Sequence, residues 1–189
     1  MNKKQLRNIY KEKRKAISVH QLDKLNDLVL VNFQKIPLPF INCIHTYLAS
    51  LKLGEADTSK IVRYLQFKNP ELKVVVPKID IHTGNMDHFH FDESIEIVNN
   101  AYGISEPKDG NKVRENEIDL VLVPLLTFDK KGHRVGYGKG YYDKFLCRCR
   151  KDVITVGLSF FDPVDEIEDI NSFDIPLNYC VTPEQVFIF

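Results

Sequence analysis

The sequence predicts an α/β fold: one domain over residues 1–189, with an open, mainly parallel sheet flanked by helices and a small hairpin. Three observations lead there. Short apolar runs alternate along the chain with segments of helical periodicity. A length of 189 residues suits one domain and allows a core that needs no disulfides. Hydrophobic residues at 43% and charged residues at 28% are ordinary for a globular chain, which excludes disordered, collagen-like and disulfide-scaffold classes.

Taken in order, residues 2–16 lack Gly and Pro and form a helix whose narrow apolar stripe is Leu6, Ile9, Tyr10 and Lys13. Ser18 caps a second helix with Leu22, Leu25, Val29 and Phe33 on its inner face, ending before Pro37. Residues 43–49 read as a buried strand, and Asp57 or Thr58 caps a helix carrying Ile61, Val62 and Leu65. Leu72 to Val76, bounded by Pro77, is a short strand, and Met86 to Phe91 alternates like one arm of a hairpin. DLVLV at 119–123 is the clearest buried strand, stopped by Pro124. A long loop leads to a helix over 141–150, then a strand over 153–158 and a terminal pairing of Val181 with 186–189. In such sheets the ligand lies beyond the carboxyl ends of the strands, so the loops after Ala49, Val76, Val123 and Leu158 are the ones to inspect.

Charge is balanced in total and polarised along the chain. There are 26 basic and 26 acidic residues, which argues against a wholly basic nucleic-acid binder. Yet residues 1–15 carry seven Lys or Arg against Glu12 alone, while no Lys or Arg follows Lys151 and eight acids do. Such ends are either solvated tails or two surfaces that meet around a ligand carrying phosphate and metal. No run approaches the ~18 apolar residues of a membrane span, and the basic N-terminus lacks a secretory apolar core. Cys43, Cys147, Cys149 and Cys180 have no zinc or redox spacing and read as small buried or half-buried hydrophobes of a reducing cytoplasm. A cytoplasmic monomer without membrane or nucleic-acid partners is the expectation.

Chemistry concentrates in the loop after Val123, PLLTFDKKGHRVGYGKGYYDKFL. Gly136, Gly138 and Gly140 alternate, Lys139 sits between the last two, and a helix opens at once. Glycines allow close backbone approach, so successive N–H groups converge on anionic oxygens. Arg134 and Lys139 add full charges, and Asp143 in the first helical turn is placed to share Mg²⁺ with phosphates. A ligand-free glycine turn is the bland alternative. The spacing G-x-G-x-G is neither a Walker A loop nor a dinucleotide fingerprint.

On these residues the chain resembles the 5-formyltetrahydrofolate cyclo-ligase (5,10-methenyltetrahydrofolate synthetase) family. DLVLVP, FD, G-x-R and GYGKGYYDKFL arrive in the family's order. The KKQLR start, Tyr47 followed by Gly54-Glu55-Ala56-Asp57-Thr58, the segment YGISEP at 102–107, and FDIPL at 173–177 with Val181-Thr182 extend the resemblance over the chain. It implies Mg²⁺- and ATP-dependent closure of 5-formyltetrahydrofolate to 5,10-methenyltetrahydrofolate, with release of ADP and phosphate. The formyl oxygen attacks the γ-phosphate, giving an iminium phosphate, and N10 then closes onto the activated carbon as phosphate departs. No nucleophilic side chain is needed, in keeping with phosphoryl transfer by positioning and charge neutralisation.

Carried over residue by residue, the resemblance implies that Lys3, Lys4 and Arg7 reach ATP together with Arg134, Val135, Gly136, Tyr137, Gly138, Lys139, Gly140, Tyr141 and Tyr142. Arg134, Lys139 and Tyr141 would serve catalysis. Leu48, Glu55 and Tyr102 would contact the folate, Glu55 accepting from ring N–H groups and Tyr102 stacking, with residues 137–141 at its reacting end. Leu51 or Leu53 would supply an apolar wall. Asp143 and Asp174 would hold Mg²⁺.

Three positions depart from the family pattern: the stretch from Tyr47 to Glu55 is longer, Phe173 stands where bacterial members often have His, and Leu125 where Gly is common. His88 and His90, flanked by Asp87 and Asp92, resemble a metal pair but read better as a solvent-facing hairpin. His133 has no assigned task, and Glu106 is either a turn residue or a second substrate acceptor. The acidic run at 165–169 reads as solvated. The alternative function is a non-catalytic anion- or RNA-binding relative on the same scaffold, for which Asp143 and Asp174 beside the glycine loop have no purpose; a sugar-phosphate or CoA-type enzyme is a weaker third.

Overall fold

A computed structural model describes residues 1–100 and 103–189. Helix α1 (Lys3–Lys15) starts at Asn2, whose side chain accepts from the Gln5 N–H while the Gln5 side chain accepts from the Asn2 N–H. Ser18 and Gln21 make the same reciprocal cap for α2 (Val19–Phe33). There follow β1 (Cys43–His45), α3 (Ser59–Lys68), β2 (Lys73–Asp80), β3 (Asn85–His90), and the ribbon of β4 (Ile97–Asn99) and β5 (Ser105–Pro107). Next come β6 (Leu120–Val123), the ribbon of β7 (Thr127–Phe128) and β8 (Arg134–Val135), α4 (Tyr141–Leu146), β9 (Ile154–Leu158), β10 (Tyr179–Val181) and β11 (Val186–Ile188).

Among the described residues the main sheet has seven strands in the order β11-β10-β9-β6-β1-β2-β3. The five inner strands run parallel, and β3 and β11 close the two edges antiparallel. Both faces are covered, as a parallel sheet requires. Ile44, Val74, Leu120, Leu122 and Val156 face α2 and α3 through Leu22, Val29, Phe33, Ile61 and Leu65. Their neighbours Cys43, Val75, Val121 and Val123 face Phe145 and Leu146 of α4 and Phe128. Period-two alternation therefore splits each apolar run between two cores. Asp119, just before β6, accepts from the Asn42 and Cys43 N–H groups and so fixes where β1 and β6 start together.

The predicted architecture and single mainly parallel sheet are found, with differences of detail. The strand expected over 43–49 ends at His45, because the Thr58 hydroxyl takes the Tyr47 carbonyl and the Tyr47 hydroxyl binds the Ala56 carbonyl, folding the chain away. Strand β2 passes through Pro77 to Asp80. Lys73 N–H and Val75 C=O bond toward β1, and Pro77 faces that same side beyond the end of β1, where no ladder bond is lost. At α3 the Asp57 carboxylate, not Thr58, takes the Ser59 N–H. Helix α4 stops at Leu146, after which Arg148 N–H turns back to Phe145 C=O and leaves Cys147 exposed, unlike the buried or half-buried thiol expected. On α1 the buried stripe is Leu6, Tyr10 and Arg14; Ile9 and Lys13 face outward.

His88 also corrects the expectation. Only His90 reaches solvent, pairing with Asp92; His88 is buried because α4 covers that face of β3. Its ring lies 5.1 Å from that of His45, both rings packed on Phe145, and the ring nitrogens of neither have a hydrogen-bond partner among the described residues. Burial pushes His88 down to about 4, despite Glu115 opposing it, and pushes His45 well below its ordinary value, with His88 adding to the effect. Both histidines are thus neutral when folded and titrate near 6.5 when unfolded. Stability is expected to fall as pH drops from about 6.5 toward 5, by up to about 1.4 kcal/mol per pH unit per histidine. Urea unfolding at pH 7.0, 6.0 and 5.5 measures this slope, and His88→Gln should flatten it.

Candidate active site

Beyond the carboxyl ends of β1 and β6, three segments meet α1: the loop from Val123 to α4, the turn before Glu55, and the acidic stretch leading to Asp174. The loop is braced from within. Asp129, almost fully buried, accepts from the N–H groups of Lys131, His133 and Ile167, which forms the β7–β8 ribbon and ties it to the acidic stretch. His133 stands with Nδ1 3.3 Å from Asp129 Oδ2. Lys130 and Lys131 pair with Asp165 and Glu166, so part of the acidic run answers the loop's own lysines.

Arg134 is the second brace. Its Nη2 donates to Asp143 Oδ1 at 2.8 Å and its Nη1 to the Ile175 carbonyl, while the Ile175 N–H also donates to Asp143 Oδ1. Arg134 is 8% exposed, and burial lowers its pKa against the opposing pull of Asp143. Both terminal nitrogens are committed, so this side chain locks β8, α4 and the segment after Asp174 together. Beyond it, Gly138, Lys139 and Gly140 stand exposed, Gly138 at φ +90 and Gly140 at φ +70. Val135 is buried beneath them, and Tyr141 and Tyr142 pack as half-buried rings against the α4-side core.

One face of α1 crosses this cradle, with Lys3 and Arg7 one turn apart. Lys3 Nζ pairs with Asp174 Oδ2 at 2.5 Å, and its backbone N–H donates to Asp169. Burial raises the Asp174 pKa, but the Asn171 N–H and Lys3 outweigh it, and the net shift is downward. Arg7 Nε donates to Gly136 C=O at 3.0 Å, and its guanidinium lies where a Cβ on Gly138 would come within 3.0 Å. Lys4 is exposed.

At the other end of the loop, Glu55 is 9% exposed. Its Oε1 accepts from the Tyr137 hydroxyl at 2.8 Å and its Oε2 from the Ser50 N–H at 2.9 Å. Burial first, then Glu55, raises the phenol pKa of Tyr137, Tyr142 and Tyr47, so all three stay protonated beside the carboxylate. Leu48 is half-buried on the approach to Glu55, and Leu51 is widely exposed. Tyr102 lies outside the described residues. Glu106 takes the structural option: it is buried and accepts from Asn100 Nδ2 and the Ile79 N–H, pinning the β4–β5 ribbon to β2. Leu125 packs over Gly157, where a Cβ would come within 2.5 Å of its Cδ2. Sequence reasoning missed Arg14 and Ser50. Arg14 continues the Lys3–Arg7 face at i+7, a spacing that could have exposed it.

Asp143 and Asp174 flank Arg134 and each already holds a side-chain cation. Among the described residues no group of three His, Cys, Asp or Glu is arranged to hold a metal ion. Two carboxylates fit Mg²⁺ only where phosphate oxygens and water complete its shell, which is how that ion is ordinarily held.

A model of the 5-formyltetrahydrofolate cyclo-ligase family matches residues 1–183. The chain belongs to this family. A mitochondrial 5-formyltetrahydrofolate cyclo-ligase of Arabidopsis thaliana is 32% identical over 164 residues, covering 74% of this chain and 58% of that protein. The chain thus spans less than two thirds of that relative. The Escherichia coli K12 5-formyltetrahydrofolate cyclo-ligase is 28% identical over 183 residues, 94% of this chain and 98% of its own. The solved structure of Aquifex aeolicus 5,10-methenyltetrahydrofolate synthetase superposes with a TM-score of 0.80 at 27% identity, covering 100% and 93% of the two chains. A Mycoplasma pneumoniae synthetase, at TM-score 0.76 and 23% identity, shares the fold. No helix among the described residues is long and apolar enough to cross a membrane.

Two substitutions test the cradle's construction. Gly138→Ala forces a side chain into a positive φ and against Arg7, and is expected to cost about 1–2 kcal/mol of stability. Arg134→Lys keeps the charge but not the fork that reaches Asp143 and Ile175 together, and should cost about 1–3 kcal/mol. Urea denaturation measures both.

Proposed function

We propose that this protein is a 5-formyltetrahydrofolate cyclo-ligase, closing 5-formyltetrahydrofolate to 5,10-methenyltetrahydrofolate as ATP becomes ADP and phosphate. The observation that carries the reading is that one short loop joins a cationic cradle to a buried carboxylate: Arg7 meets the loop at Gly136, and Tyr137 in the next position bonds Glu55.

The division of labour follows from charge. Lys3, Arg7 and Lys139 attract and orient the polyphosphate, with Gly136, Gly138 and Gly140 allowing its close approach. Val135 and Arg134 support that loop from below, while Tyr141 and Tyr142 border the reacting end. Glu55 accepts from the N–H edge of the folate ring, and Tyr137 holds the carboxylate in place. The γ-phosphoryl group passes to the formyl oxygen as ADP leaves, converting a poor leaving group into a good one, and N10 then bonds to the activated carbon and gives up its proton to solvent as phosphate leaves. No side chain forms a covalent bond with either substrate, so catalysis rests on positioning and neutralisation of charge. Asp143 and Asp174 would hold Mg²⁺, which supplies charge neutralisation on the phosphate oxygens. ATP and the folate are the only partners this reading needs, acting in solution in the cytoplasm. A non-catalytic anion binder would leave the Glu55–Tyr137 pair without a task.

The test mixes protein, MgATP and 5-formyltetrahydrofolate and follows the methenyl chromophore and ADP together. One ADP per methenyl product is expected, with chelation of Mg²⁺ abolishing both. Folded protein that releases no folate-dependent ADP would contradict the reading. Lys3→Ala is expected to raise KM for ATP about tenfold, the equivalent of one lost charge-assisted contact, and to leave KM for the folate within about twofold.

A further inference from the structure

Arg14 is an unexplained cation. It is 5% exposed at the far end of α1, about 16 Å along the axis from Lys3 at 1.5 Å per residue. Its Nη1 donates to the Tyr137 hydroxyl at 3.1 Å and its Nη2 to the Leu125 carbonyl, and Nε is buried without a partner. Among the described residues it makes no salt bridge; both of its partners are neutral oxygens. A buried charge of this kind is strongly disfavoured unless a counter-charge lies close. The nearest link to one runs through Tyr137, whose hydroxyl accepts from Arg14 and donates to Glu55 Oε1. The phenol is thus wedged between guanidinium and carboxylate, with its single proton forced toward Glu55. A Cβ on Gly54, in the left-handed conformation immediately before Glu55, would lie 3.5 Å from Arg14 Cβ, so Arg14 also stands beside the backbone from which the carboxylate projects.

We infer that Arg14 is a positioning residue for the folate subsite: it fixes the Tyr137 hydroxyl, and through it the direction in which Glu55 offers its free lone pairs. This rests on the functional reading above. It separates the two ends of α1 by task, with Lys3 and Arg7 serving phosphate and Arg14 serving the ring acceptor one loop position beyond. Arg14 acts through Tyr137, so the two side chains form one unit, and removing either should forfeit the same interaction.

The experiment is a double-mutant cycle with Arg14→Lys and Tyr137→Phe, titrating 5-formyltetrahydrofolate and MgATP separately by calorimetry on folded protein. Arg14→Lys keeps the buried charge but loses the fork; Tyr137→Phe keeps the ring and loses only the hydroxyl. Each single change should weaken folate binding about tenfold, the double change no further than either alone, and MgATP affinity should stay within about twofold. Multiplying losses, or an equal loss of MgATP affinity, would overturn the positioning role while wild-type folate binding upheld the functional reading. Wild-type protein that bound no folate would overturn both.

Discussion

The site depends on α1 lying across the glycine loop with its cations engaged. Lys3, Arg7 and Arg14 share one helical face, and each ends on a different segment: the acidic stretch through Asp174, the loop backbone at Gly136, and the Tyr137–Glu55 pair. Leu6 and Tyr10 on the same side pack against Leu126, Val135 and Ile167, which supplies the apolar contact that polar contacts at a surface lack. Remove α1 and the loop loses its roof, Asp174 its cation and Glu55 its indirect counter-charge.

This arrangement gives the polarised charge a physical meaning. Basic residues gathered near one end of the sequence and acids near the other would be costly as isolated surfaces around a single site. Brought together, they neutralise one another at Lys3–Asp174, beside the hydrogen bond from the Lys3 backbone N–H to Asp169, while the loop's own Lys130 and Lys131 take up Asp165 and Glu166. Arg134 performs the same service beneath the cradle for Asp143. These pairs offset part of the positive charge that the cradle gathers, those of Lys3 and Arg134, while Arg7 rests on a neutral carbonyl.

Much of the fold could be read from the sequence because parallel strands buried on both faces are short, uninterrupted apolar runs such as Leu120–Val123, and because Ser18 marks a helix start plainly. What escaped had tertiary causes. The strand at Cys43 ends early through hydrogen bonds from Thr58 and Tyr47 that no local pattern announces. His88 is buried only because α4 returns over β3. Lys13 looked like a member of the α1 stripe because it follows Tyr10 at helical spacing, whereas the buried position is Arg14, whose charge hid it from an apolar pattern. At the site, the glycine loop was legible from its spacing, but the inward commitment of Arg134 was not, since residue type and position alone do not distinguish a brace from a ligand contact.

The central claim is that one loop, roofed by α1, serves two ligands at its two ends. Hydrogen exchange of the backbone, with each ligand added alone, tests it most directly. A non-hydrolysable ATP analogue with Mg²⁺ should slow exchange in the first turns of α1 and at Gly138 to Asp143, whereas 5-formyltetrahydrofolate should slow it at Ser50 to Glu55 and at Tyr137. Identical protection by both ligands, or protection that leaves α1 and the loop untouched, would contradict the account.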